Sequence, residues 1–210
     1  MIEVHIRHGQ MQREAPYGLT ELGKEQAKAA AEYLHINFPR GFSVGFQSPS
    51  MRAKETTALL GYSDTSWYTD DRLRELSWGE QPPKDVDSLS KTPEYQTFTW
   101  RNHPTGESWE EVGTRLTTFF AEVDATHPDG DRIFSYHGNA LRTTRFLREL
   151  REPALFVKTF EEPYKYFTNC QIIIYSNENP ETGEISAGER WVKSVCPWDL
   201  ERNGHDWLLI

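Results

Sequence analysis

Arg7, His8, Arg52 and His137 are the side chains of this 210-residue chain whose types suit one reaction centre. Gathered around a point, two guanidiniums offer forked donors that match phosphate oxygens. A neutral imidazole is a competent nucleophile toward phosphorus and forms a phosphohistidine. Neighbouring arginines disfavour the imidazolium form. They also neutralise a transferring group whose charge is spread over three equatorial oxygens. His8 and His137 both have the type for the attack. The departing alkoxide needs a proton, and Glu75, within Arg74-Glu75-Leu76, could supply it as a general acid. Gly9 and Gly138, each directly after a histidine, let the backbone come close to a ligand.

These residues need rigid elements that end at the same place. Ile2, Val4 and Ile6 alternate as a short strand that runs into Arg7-His8. Thr20 opens a helical stretch with Leu22, Ala27, Ala30, Ala31, Leu34 and Phe38, stopped by Pro39 and Gly41. Phe42, Val44 and Phe46 form a second strand. Ser48-Pro49 then reads as an N-cap and first helical residue, with the helix running to Leu60 and Gly61. Trp67 and Tyr68 suggest a third strand. Ser108 and Glu111 make a capping box ahead of a stripe of Trp109, Val112, Leu116, Phe119, Phe120 and Val123. Ile133, Phe134 and Tyr136 form a buried strand ending at His137-Gly138, followed by a helix to Leu150. Cys170 to Tyr175 and Trp191 to Val195 read as two late strands. Strands alternating with helices indicate an α/β layered fold. Such sheets bind ligands beyond the carboxyl ends of their strands, where Arg7-His8, Ser48 to Arg52 and His137 all fall.

Composition narrows the partners. The net charge of -9 argues against nucleic acid, which wants a broad basic surface. An anion site must then be a local pocket on an acidic background. Cys170 and Cys196 are too few for a disulfide framework and have no metal spacing, so reduced structural thiols are expected. His5 and His8, three apart on a strand, point to opposite faces and make no metal pair. No segment approaches the ~20 apolar residues of a membrane span. No basic-then-apolar leader precedes the first strand, and a cytoplasmic protein is expected. Residues 1–210 read as one domain. Within it, residues 81–106 carry four prolines and little periodicity, an inserted loop or short-helix segment over one end of the core. Residues 198–210 read as a tail with an apolar end that could dock on the core or on a second copy, leaving a homo-oligomer open.

The motifs together carry a resemblance. Ile6-Arg7-His8-Gly9, Leu19-Thr20-Glu21-Leu22-Gly23, Ser48-Pro49-Ser50-Met51-Arg52-Ala53, Leu73-Arg74-Glu75, Gly106-Glu107-Ser108 and Ser135-Tyr136-His137-Gly138 resemble the histidine phosphatase superfamily, also called the phosphoglycerate mutase-like family. The resemblance implies an α/β/α sandwich on a mixed, mostly parallel sheet. It implies His8 as the phosphorylated nucleophile, Arg7, Arg52 and His137 as the phosphate pocket and Glu75 as proton donor, with no metal or organic cofactor. The chain departs from the family pattern in three places. Mutase-like members carry an Asn shortly after the Arg-His-Gly; here the segment reads Gln10-Met11-Gln12-Arg13-Glu14, and Gln10 or Gln12 is the candidate substitute. Gly79-Glu80-Gln81-Pro82-Pro83 replaces the usual spaced glycine pair after the acid. Asn139 follows His137-Gly138 where many members have a small residue, either to contact phosphate or to cap the helix. The implied activity is hydrolysis of a small phosphorylated metabolite through phosphohistidine. A cofactor-dependent phosphoglycerate mutase and a non-catalytic phospho-ligand or protein-binding module are the alternatives.

Overall fold

β1 (Ile2–Arg7) is buried along its middle because it has a strand on each side and helices on both faces. The computed structural model describes residues 1–162, 164–165, 167–186 and 190–210. In it, α1 (Glu21–Asn37), β2 (Val44–Gln47), α2 (Met51–Leu60), β3 (Ser66–Thr69), a short α3 (Val86–Leu89), α4 (Trp109–Thr126), β4 (Arg132–Tyr136), α5 (Gly138–Arg145), β5 (Ile172–Ser176), β6 (Trp191–Val195) and β7 (His205–Leu209) follow in order. The sheet order is β3-β2-β4-β1-β5-β6-β7. The first four of these are mutually parallel, and β5, β6 and β7 each run antiparallel to the strand before them.

The helices divide between the two faces as their apolar stripes require. Ala27, Ala30, Ala31 and Leu34 of α1 pack with Val4, Ile6, Ile133, Ile172 and Ile174. Small alanines let that helix lie close to the sheet. On the other face Trp109, Val112, Leu116, Phe119 and Phe120 of α4 meet Phe134, Tyr136, Ile173 and Tyr175. Each such fully buried large side chain contributes roughly 1.5–3 kcal/mol. The capping box expected at Ser108 is formed: its Oγ accepts from the Glu111 N–H, and the Glu111 carboxylate accepts from the Ser108 N–H. The α/β sandwich on a mixed sheet therefore stands as expected.

Four details differ from the sequence reading. The second helix begins at Met51 with Ser50 at its N-cap, so Ser48 is not the cap and Pro49 not its first residue. The helix after His137 keeps α geometry only to Arg145 and finishes in a wider π-helical turn over Phe146–Leu150. Within that run Arg145 forms a fully buried pair with Glu149 at 2.8 Å, and Tyr175 Oη donates to Glu149 at 2.6 Å. The 198–210 tail docks on the core, but as a strand: residues 205–209 form β7, paired with β6 at the sheet edge. Finally, the 81–106 segment is largely exposed but sends a few aromatic side chains into the core. Tyr95 is 2% exposed and lies edge-on to Trp109, while Phe98 and Trp100 pack against the α4 cluster.

Candidate active site

The register of the sheet brings distant motifs together. Arg7 lies opposite Tyr136, so His8 and His137 leave the sheet side by side, with ring centroids 5.1 Å apart. Gln47 lies opposite Ser135, which delivers Ser48 to the same edge. Arg52, on the first turn of α2, then reaches both imidazoles. Its Nε donates to His8 Nε2 at 3.0 Å and its Nη2 to His137 Nδ1 at 3.1 Å.

Hydrogen bonding sets the state of each ring. His8 Nδ1 is 2.7 Å from the Gly9 carbonyl oxygen. A carbonyl only accepts, so Nδ1 carries the proton and Nε2 presents its lone pair. Burial, then the Arg7 guanidinium, hold His8 well below the ordinary imidazole range. In His137, Nδ1 accepts from Arg52, so Nε2–H points to Ser48 Oγ at 2.7 Å, with Ser50 Oγ at 3.3 Å. Burial, then His8 and Arg52, keep His137 neutral as well. The two rings are 3% and 1% exposed.

The backbone around His8 is fastened from several directions. The Gly9 N–H donates to Thr56 Oγ1 at 3.0 Å, and Asn169 Nδ2 donates to the His8 carbonyl at 3.1 Å. Gly9 and Gly23 are packed backbone to backbone. A Cβ on Gly9 would lie 2.3 Å from the Gly23 carbonyl oxygen, and one on Gly23 would lie 2.1 Å from that of Gln10. The glycine of Leu19-Thr20-Glu21-Leu22-Gly23 thus sets how closely α1 approaches the loop that carries His8 and Gln10. Gly138 opens space for Arg7 in the same manner: a methyl there would stand 3.2 Å from Arg7 Nε. The Arg7 guanidinium continues past it to donate to the Phe167 carbonyl.

Glu75 faces this group from across a cleft of about 790 Å³, which both Arg7 and Glu75 line. Its carboxylate accepts the Ala140 N–H at 3.2 Å and the Asn139 N–H at 3.3 Å, at the start of α5. Arg115 secures the Glu75 loop by donating to the carbonyls of Arg72 and Glu75, and binds Glu107 at 2.8 Å. Glu107 is therefore committed to Arg115, and Glu75 is the carboxylate facing Arg7. Gln10 sits at the exposed rim of the cleft, where its Oε1 accepts from Thr20 Oγ1 at 2.8 Å. Asn139 also lines the cleft; His137, not Asn139, is the N-cap of α5. Among the described residues no three His, Cys, Asp or Glu side chains stand together as metal ligands.

Sequence reasoning missed Ser48, Thr56 and Asn169 as supports of the two histidines. Ser48 lay inside a motif already singled out, but its capping pattern concealed that its hydroxyl turns to His137. Nothing local marks Asn169, whose contact spans 161 positions.

The pattern for the histidine phosphatase superfamily (branch 1) matches residues 4–156. The chain belongs to that family. A Hydrogenobacter thermophilus protein provisionally named phosphoserine phosphatase 2 is 31% identical over 128 residues, covering 57% of this chain and 61% of that protein. A Methylocella silvestris protein named 2,3-bisphosphoglycerate-dependent phosphoglycerate mutase is 30% identical over 141 residues, covering 59% and 66%. The match thus spans less than two thirds of either curated relative. Among solved structures, a mycobacterial glucosyl-3-phosphoglycerate phosphatase complexed with VO3 superposes with a TM-score of 0.66 and 27% identity, covering 83% of this chain and 92% of that one. Phosphoserine phosphatase of Entamoeba histolytica shares the fold, with a TM-score of 0.64 and 18% identity over 85% of this chain and 91% of that one.

Proposed function

We propose that this protein is a phosphomonoester hydrolase that works through a phosphohistidine on His8 and takes a small phosphorylated metabolite. The observation that carries this reading is the state of His8: a buried, neutral ring with Nδ1–H fixed on the Gly9 carbonyl, Nε2 turned toward Arg52 and the Arg7 charge close enough to disfavour the imidazolium. A lone pair so oriented is prepared for attack on an electrophile that the same arginines would bind.

The steps follow from the geometry. Arg52 Nε–H occupies the His8 Nε2 lone pair, so the incoming phosphoryl group must first draw the guanidinium onto its own oxygens. A doubly charged phosphoryl group is a stronger acceptor than a neutral imidazole. Nε2 then bonds to phosphorus as the P–O bond to the leaving group breaks, and protonated Glu75 gives its proton to the departing oxygen. Arg7, Arg52 and His137 hold the equatorial oxygens throughout. In the second half, Glu75 takes a proton from water, the water oxygen bonds to phosphorus, and the N–P bond breaks to restore His8. Two buried, free thiols support a cytoplasmic setting. Among the described residues no helix is long and apolar enough to cross a membrane.

The test is a panel of phosphomonoesters run on wild type and on His8→Ala, with the phosphoenzyme trapped and mapped. Activity that survives the substitution would sink the mechanism. Rapid interconversion of 2- and 3-phosphoglycerate with little phosphate release would instead favour a mutase, as the name of the Methylocella silvestris relative allows. A protein with no turnover and no acid-labile phosphate would be a binding module.

A further inference from the structure

An apolar groove adjoins the catalytic cleft. A 3₁₀ helix over Pro153–Phe160 faces residues 93–99 across a space of about 450 Å³, lined by Pro93, Thr97, Phe98, Pro153, Ala154 and Val157. No charged side chain lines it, although 26% of the chain is charged. Gln96 lines both this groove and the cleft that holds Arg7 and Glu75, with its Nε2 donating to the Ser90 carbonyl at 3.0 Å. Side chains three apart on a 3₁₀ helix eclipse one another. Ala154, Val157 and Phe160 therefore form one row, about 12 Å long at ~2 Å per residue. Ala154 and Val157 line the groove, and Phe160 lines the cleft, so the row leads from one to the other. Phe156 and Thr159, off that row, are both 0% exposed and fix the helix to the core.

The size and lining of the groove favour part of a substrate over another protein. Among the described residues, Val157 is the one exposed large hydrophobic that lines it, whereas a stable protein interface buries about 800 Å² on each partner. The neighbouring cleft, at about 790 Å³, is roomier than one phosphoryl group requires and falls within the range of sites that enclose larger ligands. A ligand anchored by its phosphate in the cleft would meet the row at Phe160 and could continue along Val157 and Ala154. An uncharged wall offers such a continuation nothing but apolar contact. A hydrocarbon chain gains from that contact and leaves no polar group unsatisfied.

We propose that this groove binds an apolar chain carried by the phosphorylated substrate, so that the preferred ligands are phosphomonoesters whose leaving group extends past the cleft as an alkyl or acyl chain. The proposal rests on the phosphate-site reading above for its anchoring end. The probes are butylphosphonate and decylphosphonate, which share a headgroup and cannot be hydrolysed. They are titrated calorimetrically, below the concentration at which the longer one forms micelles. A fully buried methylene tightens binding about fourfold, and one lying against an open groove about twofold. Wild type should therefore bind decylphosphonate with about tenfold or more the affinity of butylphosphonate. Val157→Asp sets a carboxylate in the row and Ala154→Trp fills the groove; each should cut that ratio to about threefold or less. Both positions are exposed, so neither change requires the core to move. Equal affinity of wild type for the two phosphonates, no binding of decylphosphonate, or a chain-length gain that survives both substitutions would each overturn the inference. Self-association of wild type that Val157→Asp abolishes, with no chain-length effect, would assign the groove to a second copy and overturn it as well. Hydrolysis is measured separately on butyl and decyl phosphate. If neither is turned over while the phosphonate ratio and its loss in the variants hold, the hydrolase reading fails and the groove stands.

Discussion

Gly23→Ala puts two physical rules in direct opposition. Gly23 is the third residue of α1, and replacing a helical glycine by alanine ordinarily stabilises by about 1 kcal/mol. Here the new Cβ would lie 2.1 Å from the Gln10 carbonyl oxygen and 2.9 Å from the Gln10 nitrogen, where ordinary contact begins at 3.4 Å. Both obstacles are backbone, so no side chain can rotate away. Either α1 or the Gln10 loop must move by more than 1 Å. Overpacking of this kind costs about 1–3 kcal/mol, which outweighs the helix gain. The Thr20 N–H bond to the Gln10 carbonyl at 2.9 Å and the Gln10 N–H bond to Gln26 at 2.8 Å would be stretched as well. Because Gln10 is two residues from His8, a displacement of ~1 Å should also lower kcat by about 100-fold. Urea denaturation followed by fluorescence gives the stability change, and turnover of the best substrate gives kcat. A Gly23→Ala protein as stable as wild type or more so, with full activity, would refute the close-packing argument.

Glu75→Gln keeps the shape of the side chain but removes its proton, and kcat on alkyl phosphates should fall about 10²–10⁴-fold. The loss should be far smaller on p-nitrophenyl phosphate, whose leaving group needs little protonation; equal losses on both would count against the assigned role. Ser48→Ala leaves His137 Nε2–H without its 2.7 Å partner and should lower kcat/KM about 5- to 30-fold while altering the pH profile, with Ser48→Thr restoring most of it. An unchanged profile would make Ser48 merely structural. Stability should fall as pH drops from about 6.5 toward 4. His5 is pushed down to about 4, chiefly by burial, and His8 and His137 also lie well below the ordinary value of 6.5. In that window the unfolded chain binds protons that the folded one refuses, at up to ~1.4 kcal/mol per pH unit for each ring. His5 stacks on Phe134 at 4.6 Å, so His5→Phe should keep the packing and remove one proton from the slope. Urea titrations at pH 7, 6 and 5 that give the same slope for both proteins would contradict this.

The sequence by itself determined the family and the layer pattern. Arg7, His8, Arg52, Glu75 and His137 are types with few alternative uses when they recur at strand ends, and alternating apolar runs with helical stripes are local signals. The capping box at Ser108 was legible because its partners lie three residues apart. What the sequence left open depends on pairing between distant segments. A strand register has no trace in either strand alone, yet Arg7 opposite Tyr136 and Gln47 opposite Ser135 are what place His8, Ser48 and His137 together. The 205–209 segment became a strand because β6 offered an edge, while its own residues, Trp207 among them, signal little. Ser48 looked like a cap because serine before proline usually is one; tertiary contact turned its hydroxyl to His137 instead. Arg142 was one more charge on a helix until the fold set its guanidinium over Phe160 and Phe167 at the wall of the cleft. Burial and packing partners are properties of the assembled structure, and only there was the place of this residue decided.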